Sequence, residues 1–160
     1  MLKPSPYTPL TTLRMGELFR EIIPPGVFNV ISGGDSVGER LTRHPGVQKI
    51  SFTGSVAAGK QVAVAGAKDL KRVTLELGGN DPAIILADVD PKQVAEKLYG
   101  PAFWLCGQFC MGVKRVYVHE AVYEPIVQEL ISIAEEAKLG NGADPETTMG
   151  PLNNKPQFER

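Results

Sequence analysis

Short apolar segments alternate with helical ones along most of the chain, and this alternation constrains the fold more than any other feature of its 160 residues. Residues 27–31 (VFNVI), 48–52, 72–77, 82–86 (PAIIL) and 114–118 (KRVYV) read as strands. Helices are expected over 8–23, 36–43, 56–65, from Pro91 toward Phe103, and over 122–137. Thr8 is the expected N-cap of the first, with Pro9 at its first helical position, and Pro24-Pro25-Gly26 ends it. Asp90 is the expected cap of the fourth. In the fifth, Tyr123, Ile126, Val127, Leu130, Ile131 and Ala134 share one face. From Gly140 onward the sequence is turn-rich. Strands alternating with helices imply an α/β fold, a parallel sheet covered on both sides. VFNVI and PAIIL are nearly continuous in apolar residues, as doubly covered strands are.

Charge and cysteine content narrow the function. Lys and Arg total 17 against 18 Asp and Glu, a net charge of −1, which argues against the basic face that a nucleic-acid partner needs. No run approaches the ~18 consecutive apolar residues of a membrane span. The N-terminal MLKPSPYTPL lacks the apolar core of a signal peptide. Cys106 and Cys110 are the only cysteines, too few for a disulfide scaffold, so a reducing, cytoplasmic compartment is expected. No Cys/His cluster suggests a metal, and His44 and His119 lie far apart. Length alone suggests one domain.

Three segments could carry chemistry. In residues 51–60 (SFTGSVAAGK) a strand feeds a Gly-Ser turn that opens a helix. Its N–H groups and dipole can hold a phosphate, with the Ser55 hydroxyl beside them. In residues 75–81 (LELGGND) Glu76 closes an apolar strand. Partial desolvation between Leu75 and Leu77 suits a general base at the carboxyl end of a parallel strand. In residues 103–112 (FWLCGQFCMG) Gly107 breaks the helical pattern near Cys110, and a cysteine close to free backbone N–H groups can act as a nucleophile. Taken singly, each also fits an ordinary fold: a strand–turn–helix junction, a salt-bridged strand-end glutamate, a buried apolar cysteine. Other residues read more simply. Cys106 is expected as a small core residue, His44 as a loop residue, His119 as a cap, Lys71 and Arg72 as solvated at the start of a strand, and Phe103 and Trp104 as packing.

Taken together, the ordered segments FTGS, LELGGNDP and FWLCGQFC resemble the aldehyde dehydrogenase superfamily. Residues 75–82 fit its glutamate signature L-E-L-G-G-x-x-P, and 103–110 fit its cysteine signature F-x-x-x-G-Q-x-C. The interval from Glu76 to Cys110, the Lys3-Pro4-Ser5 start, PPGVFNV at 24–30 and MGPL at 149–152 fit further landmarks, so the resemblance covers essentially the whole chain.

The resemblance implies a Rossmann-like parallel sheet in a partial NAD(P)-binding domain over residues 1–77, followed by a partial α/β catalytic domain over 78–160. It implies Cys110 as the nucleophile that attacks an aldehyde carbonyl to give a thiohemiacetal, then, after hydride loss to the nicotinamide, a thioester. It implies Glu76 as the general base for thioester hydrolysis. The implied cofactor-binding positions are Lys3, Ser5, Gly34, Gly54, Ser55, Leu77 and Gly78: Ser55 at the pyrophosphate, Gly34 beneath the adenine, Lys3 on the adenosine ribose, Leu77 and Gly78 at the nicotinamide end. A homo-oligomer is the family's usual assembly. Pro6 stands where many NAD-preferring members carry an acidic residue, which leaves both NAD and NADP open. The Trp104-Leu105-Cys106 stretch replaces small or polar residues and would reshape the substrate tunnel or its packing.

Family chains are typically about three times longer. The upstream oxyanion Asn and the downstream Glu of the nicotinamide ribose would both fall outside this sequence. The expectation is therefore a central fragment with little turnover of its own. The alternatives are a catalytically incompetent homologue that at most binds cofactor, and a module that associates with full-length relatives.

Overall fold

A computed structural model of the protein, described over residues 1–159, turns this alternation into six α-helices and four strands. Arg160, the last residue of the expected second domain, lies outside the described residues. The chain divides into two compact units, one running Met1–Glu76 and one beginning at Leu77.

The first unit contains α1 (Leu10–Phe19), α2 (Asp35–Arg43), β1 (Lys49–Thr53), α3 (Val56–Lys68) and β2 (Arg72–Glu76). β1 and β2 pair in parallel, in register from Lys49 with Arg72 to Thr53 with Glu76. α3 is the crossover between them, the connection parallel neighbours require. It buries Val62, Gly59 and Gly66, and Ile50 is buried on β1. A Cβ on Gly66 would stand 2.5 Å from Val73 Cγ2, so a small residue sets how closely the helix lies on the sheet.

The second unit contains β3 (Asp81–Ile85), α4 (Pro91–Phe103), a 3-10 turn at Trp104–Gly107, β4 (Val113–Val118), α5 (Glu120–Glu135) and α6 (Lys155–Phe158). β3 and β4 pair in parallel, with Ile84 opposite Tyr117 and an irregularity between Asp81 and Pro82. Asp90 caps α4 as expected, accepting from the backbone N–H of Lys92 and Gln93. His119 likewise caps α5, its Nδ1 accepting from Ala121 N at 3.2 Å. Ile85, Leu98, Val122 and Ile126 form the core of this unit, and Ala95 of α4 is fully buried.

Five expectations are corrected. Residues 27–31 are not a strand. Val30 makes an isolated parallel bridge with Leu2, whose N–H donates to Asn29 O at 2.7 Å and whose carbonyl accepts from Ile31 N. Asn29 also turns its Nδ2 onto Gly26 O, closing a local turn instead of extending a ladder. The first helix stops at Phe19, because the N–H groups of Arg20, Glu21 and Ile22 bond three residues back and tighten the chain ahead of Pro24. Its N-cap is Pro9, not Thr8. PAIIL is covered on one face only: Ile85 is in the core, while Ile84 is 74% exposed. Lys71 does not solvate the start of β2. Its side chain is 2% exposed, with Nζ donating to Thr42 O at 2.9 Å and His44 O at 2.8 Å and lying 3.5 Å from Asp69 Oδ2. The last carbonyls of α2 lack helical partners, and this buried ammonium supplies one.

Candidate active site

In the first unit the implied cofactor residues gather at the ends of elements. Parallel pairing brings the carboxyl ends of β1 and β2 side by side, and the Gly54 N–H continues the ladder by donating to Glu76 O at 3.0 Å. Ser55 follows as the N-cap of α3, its Oγ accepting from Ala58 N at 3.2 Å. The N–H groups of Val56 and Ala57, in the first turn of α3, have no acceptor within the helix and face outward, the arrangement that suits an anion. Gly34 is the N-cap of α2, and a Cβ there would meet nothing within 4 Å. The Lys3 stem passes 3.6 Å from the Cβ position of Gly38 in α2, with its Nζ on Pro4 O. Ser5 is exposed, its Oγ accepting from Tyr7 N.

Glu76 is exposed and not desolvated. Strand periodicity explains the difference from the sequence expectation. Val73 and Leu75 face the half-buried side of β2, so Arg72, Thr74 and Glu76 face away from it.

In the second unit, Leu77 is half-buried and Gly78 is exposed with open space around its Cβ position. Gly79 is the position sequence reasoning missed. A Cβ on Gly79 would collide with the backbone carbonyl oxygen of Cys110 and lie 3.2 Å from Asp81 Oδ1. The strand-end glycine and the candidate nucleophile are thus in backbone contact, and only glycine permits it. The doubled glycine of LELGGND was the available signal, but its partner is 31 positions away by number and invisible to local pattern. Arg115 fixes the same segment, its Nε and Nη2 donating to Asn80 O at 3.2 and 2.8 Å.

The Cys110 thiol is exposed on a loop of unusual backbone. Leu105, Cys106 and Gly107 are successive residues of positive φ, at 51°, 57° and 70°. Left-handed conformations cost non-glycine residues on the order of 1 kcal/mol each and persist where surrounding contacts enforce them. Cys106 supplies one such contact. It is half-buried, with its thiol donating to Gly150 O at 3.1 Å, and is a loop anchor and not a core residue. Trp104 is 65% exposed and packs edge-on to Phe109 at 5.6 Å between centroids, a local aromatic pair in place of the interior packing expected.

Gly79→Ala is expected to destabilise the second unit by about 1–3 kcal/mol, since a backbone carbonyl gives way less easily than a side-chain tip. Gly78→Ala, one residue earlier in open space, is expected to stay within about 0.5 kcal/mol of the native chain. Denaturant midpoints of the two variants, measured side by side, check the contrast.

Comparisons with known proteins bear on this arrangement. The model of the aldehyde dehydrogenase family matches residues 1–160. A probable aldehyde dehydrogenase of Pseudomonas sp. is 49% identical over 148 residues, covering 92% of this chain and 30% of that protein. Among solved structures, an NADP-dependent enzyme of E. coli is 41% identical with a TM-score of 0.90, over 96% of this chain and 32% of that one. The betaine aldehyde dehydrogenase of Staphylococcus aureus, solved in complex with NAD+, is 36% identical with a TM-score of 0.92, over 98% of this chain and 32% of that one. The chain thus spans about a third of the length of such relatives. Among the described residues, no helix is long and apolar enough to cross a membrane.

Proposed function

The chain belongs to the aldehyde dehydrogenase family, and from that premise we propose that it carries the nucleophile and the general base for NAD- or NADP-dependent oxidation of an aldehyde to a carboxylic acid. The observation that carries this reading is the exposed Cys110 thiol, held on a constrained loop by backbone contact with Gly79.

The reading assigns one role to each group. The Cys110 thiolate adds to the aldehyde carbon, forming a C–S bond and an alkoxide. The Cys110 N–H is the chain's own candidate donor to that oxygen. Bound nicotinamide supplies the acceptor for the hydride that leaves the same carbon as the carbonyl re-forms. The product on Cys110 is a thioester. Glu76 takes a proton from water as that water attacks the thioester carbonyl, releasing the acid and restoring the thiolate. The Glu76 carboxylate is exposed at the end of β2, where water can reach it.

Cofactor fit is supported by the first unit. Ser55 and the open first turn of α3 suit a pyrophosphate. Gly34 leaves room over its Cα for a flat base, and Lys3 stands near α2 with a donor for a ribose. Gly54 and Ser5 are further proposed cofactor positions in the first unit, and Leu77 and Gly78, the first residues of the second, are the positions proposed for the nicotinamide end. Residues 1–77 are accordingly the proposed cofactor-binding part and 78–160 the catalytic part. Two free thiols suit a reducing, cytoplasmic setting.

The test is direct. The protein is mixed with a panel of aldehydes and either NAD or NADP, quenched in acid and digested. The peptide carrying Cys110 is expected to gain the mass of an acyl group only when aldehyde and oxidised cofactor are both present. A folded chain that forms no such adduct with any of them overturns the reading.

A further inference from the structure

We infer that Lys114 is a positioning residue for Cys110, its ammonium bridging the two sides of the loop that presents the thiol. The inference rests on the reading of Cys110 as nucleophile for its catalytic consequence, but the tie itself is geometric. Lys114 lies at the start of β4, just beyond the loop, and its Nζ reaches back to donate to Gly107 O. The same Nζ sits 5.6 Å from the centroid of the Phe109 ring, within cation–π range. On the far side of Cys110, a Cβ on the buried Gly112 would stand 2.9 Å from that Nζ. One cation therefore touches residues 107, 109 and 112, and Cys110 lies between them in the chain.

The loop requires such a tie. Beyond the 3-10 turn itself, Gln108 N donates to Leu105 O at 3.0 Å and Gly112 N to Phe109 O at 3.4 Å. Leu105 and Cys106 hold left-handed conformations that their own side chains disfavour. The Cys106 thiol on Gly150 O anchors the start of the loop, and Lys114 closes it over Gly107. Gly112 then has a definite reason to lack a side chain, because the space is filled by the ammonium.

The closing experiment uses the full chain and needs no turnover for its main readout. Wild type, Lys114→Met, Lys114→Arg and Gly112→Ala are labelled with iodoacetamide, and Cys106 and Cys110 are quantified separately by peptide mass. In wild type the exposed Cys110 labels well ahead of the bonded, half-buried Cys106. Lys114→Met is expected to raise Cys106 labelling about tenfold, with faster amide exchange over residues 105–112 and unchanged exchange in α4 and α5, as the loss of one charge-assisted bond opens the loop. Lys114→Arg keeps a cation and donor and is expected to retain the wild-type ratio. Gly112→Ala displaces the flexible ammonium tip and is expected to mimic Lys114→Met, so the inference remains testable if one variant fails to fold. Acyl-adduct formation on Cys110 is expected to slow in Lys114→Met and to recover in Lys114→Arg. Unchanged Cys106 labelling in both Lys114→Met and Gly112→Ala, or failure of Lys114→Arg to restore the wild-type ratio, overturns the tie. Labelling as expected with no acyl adduct in wild type supports the tie and overturns the nucleophile assignment alone.

Discussion

Cys110→Ala is expected to abolish the acyl adduct and to lower whatever reduced-nicotinamide formation the chain supports by roughly 10⁴-fold or more, the scale on which removal of a covalent nucleophile acts. No other described group can take its place. Cys106, four residues earlier, is half-buried and commits its thiol to Gly150 O. The loss is one of chemistry and not of folding, because Cys110 is exposed and an alanine there removes an atom that faces solvent. Melting temperature and NAD(P) affinity are therefore expected to match wild type, which separates this variant from Gly79→Ala, where stability falls first. Cys110→Ser is expected to sit near the alanine variant, since a hydroxyl retains the geometry but has almost no anion at neutral pH. The measurement is absorbance of reduced nicotinamide under saturating aldehyde, beside a thermal melt. Retention of more than about 1% of wild-type turnover in Cys110→Ala would remove covalent catalysis from the reading.

Glu76→Gln is expected to separate the two halves of the reaction. In the proposed mechanism acylation would use the thiolate of Cys110, whereas hydrolysis would need a base for water. The first turnover should therefore survive as a burst of reduced nicotinamide, followed by a steady state slower by about 10²–10⁴-fold. The acyl group should accumulate on Cys110 and be visible in the peptide mass. Gln preserves the shape of Glu, and the side chain projects from the exposed face of β2, so folding is unaffected. Rapid mixing of enzyme, aldehyde and cofactor reads burst and steady state in one trace. Equal loss of both phases would instead make Glu76 a partner of the thiol before acylation. Loss of neither would remove it from the mechanism.

Local pattern reached the elements whose causes are local. Asp90 followed by Pro91 announces α4, and the structure uses both. The apolar residues from Tyr123 through Ala134 announce α5, with His119 before it as the cap, although the face packed into the core is Val122, Ile126 and Leu130, while Tyr123 and Ile131 are exposed. The strand at VFNVI was misread because apolar composition licenses a strand only where a neighbour completes the ladder, and here Leu2 offers a single bridge. Glu76 was correctly placed at a strand end. Its exposure follows from the period of two, a rule the flanking leucines obscured. Three contacts around the Cys110 loop were out of reach, because each joins residues distant in sequence. Gly79 meets the Cys110 carbonyl, Arg115 reaches Asn80, and Cys106 reaches Gly150. Lys71 is a like case in the first unit: its partners Thr42 O and His44 O lie 29 and 27 positions earlier, at the end of α2.

The closeness of Gly79 to the Cys110 carbonyl has a consequence at the level of the gene. Any change in the first or second base of a glycine codon either installs a Cβ or ends the chain, so no missense change at this codon spares the contact. Gly78, beside it in open space, is expected to absorb several such changes. Two adjacent codons that spell the same residue should therefore differ sharply in saturation mutagenesis, one silent only at its third base and the other broadly permissive.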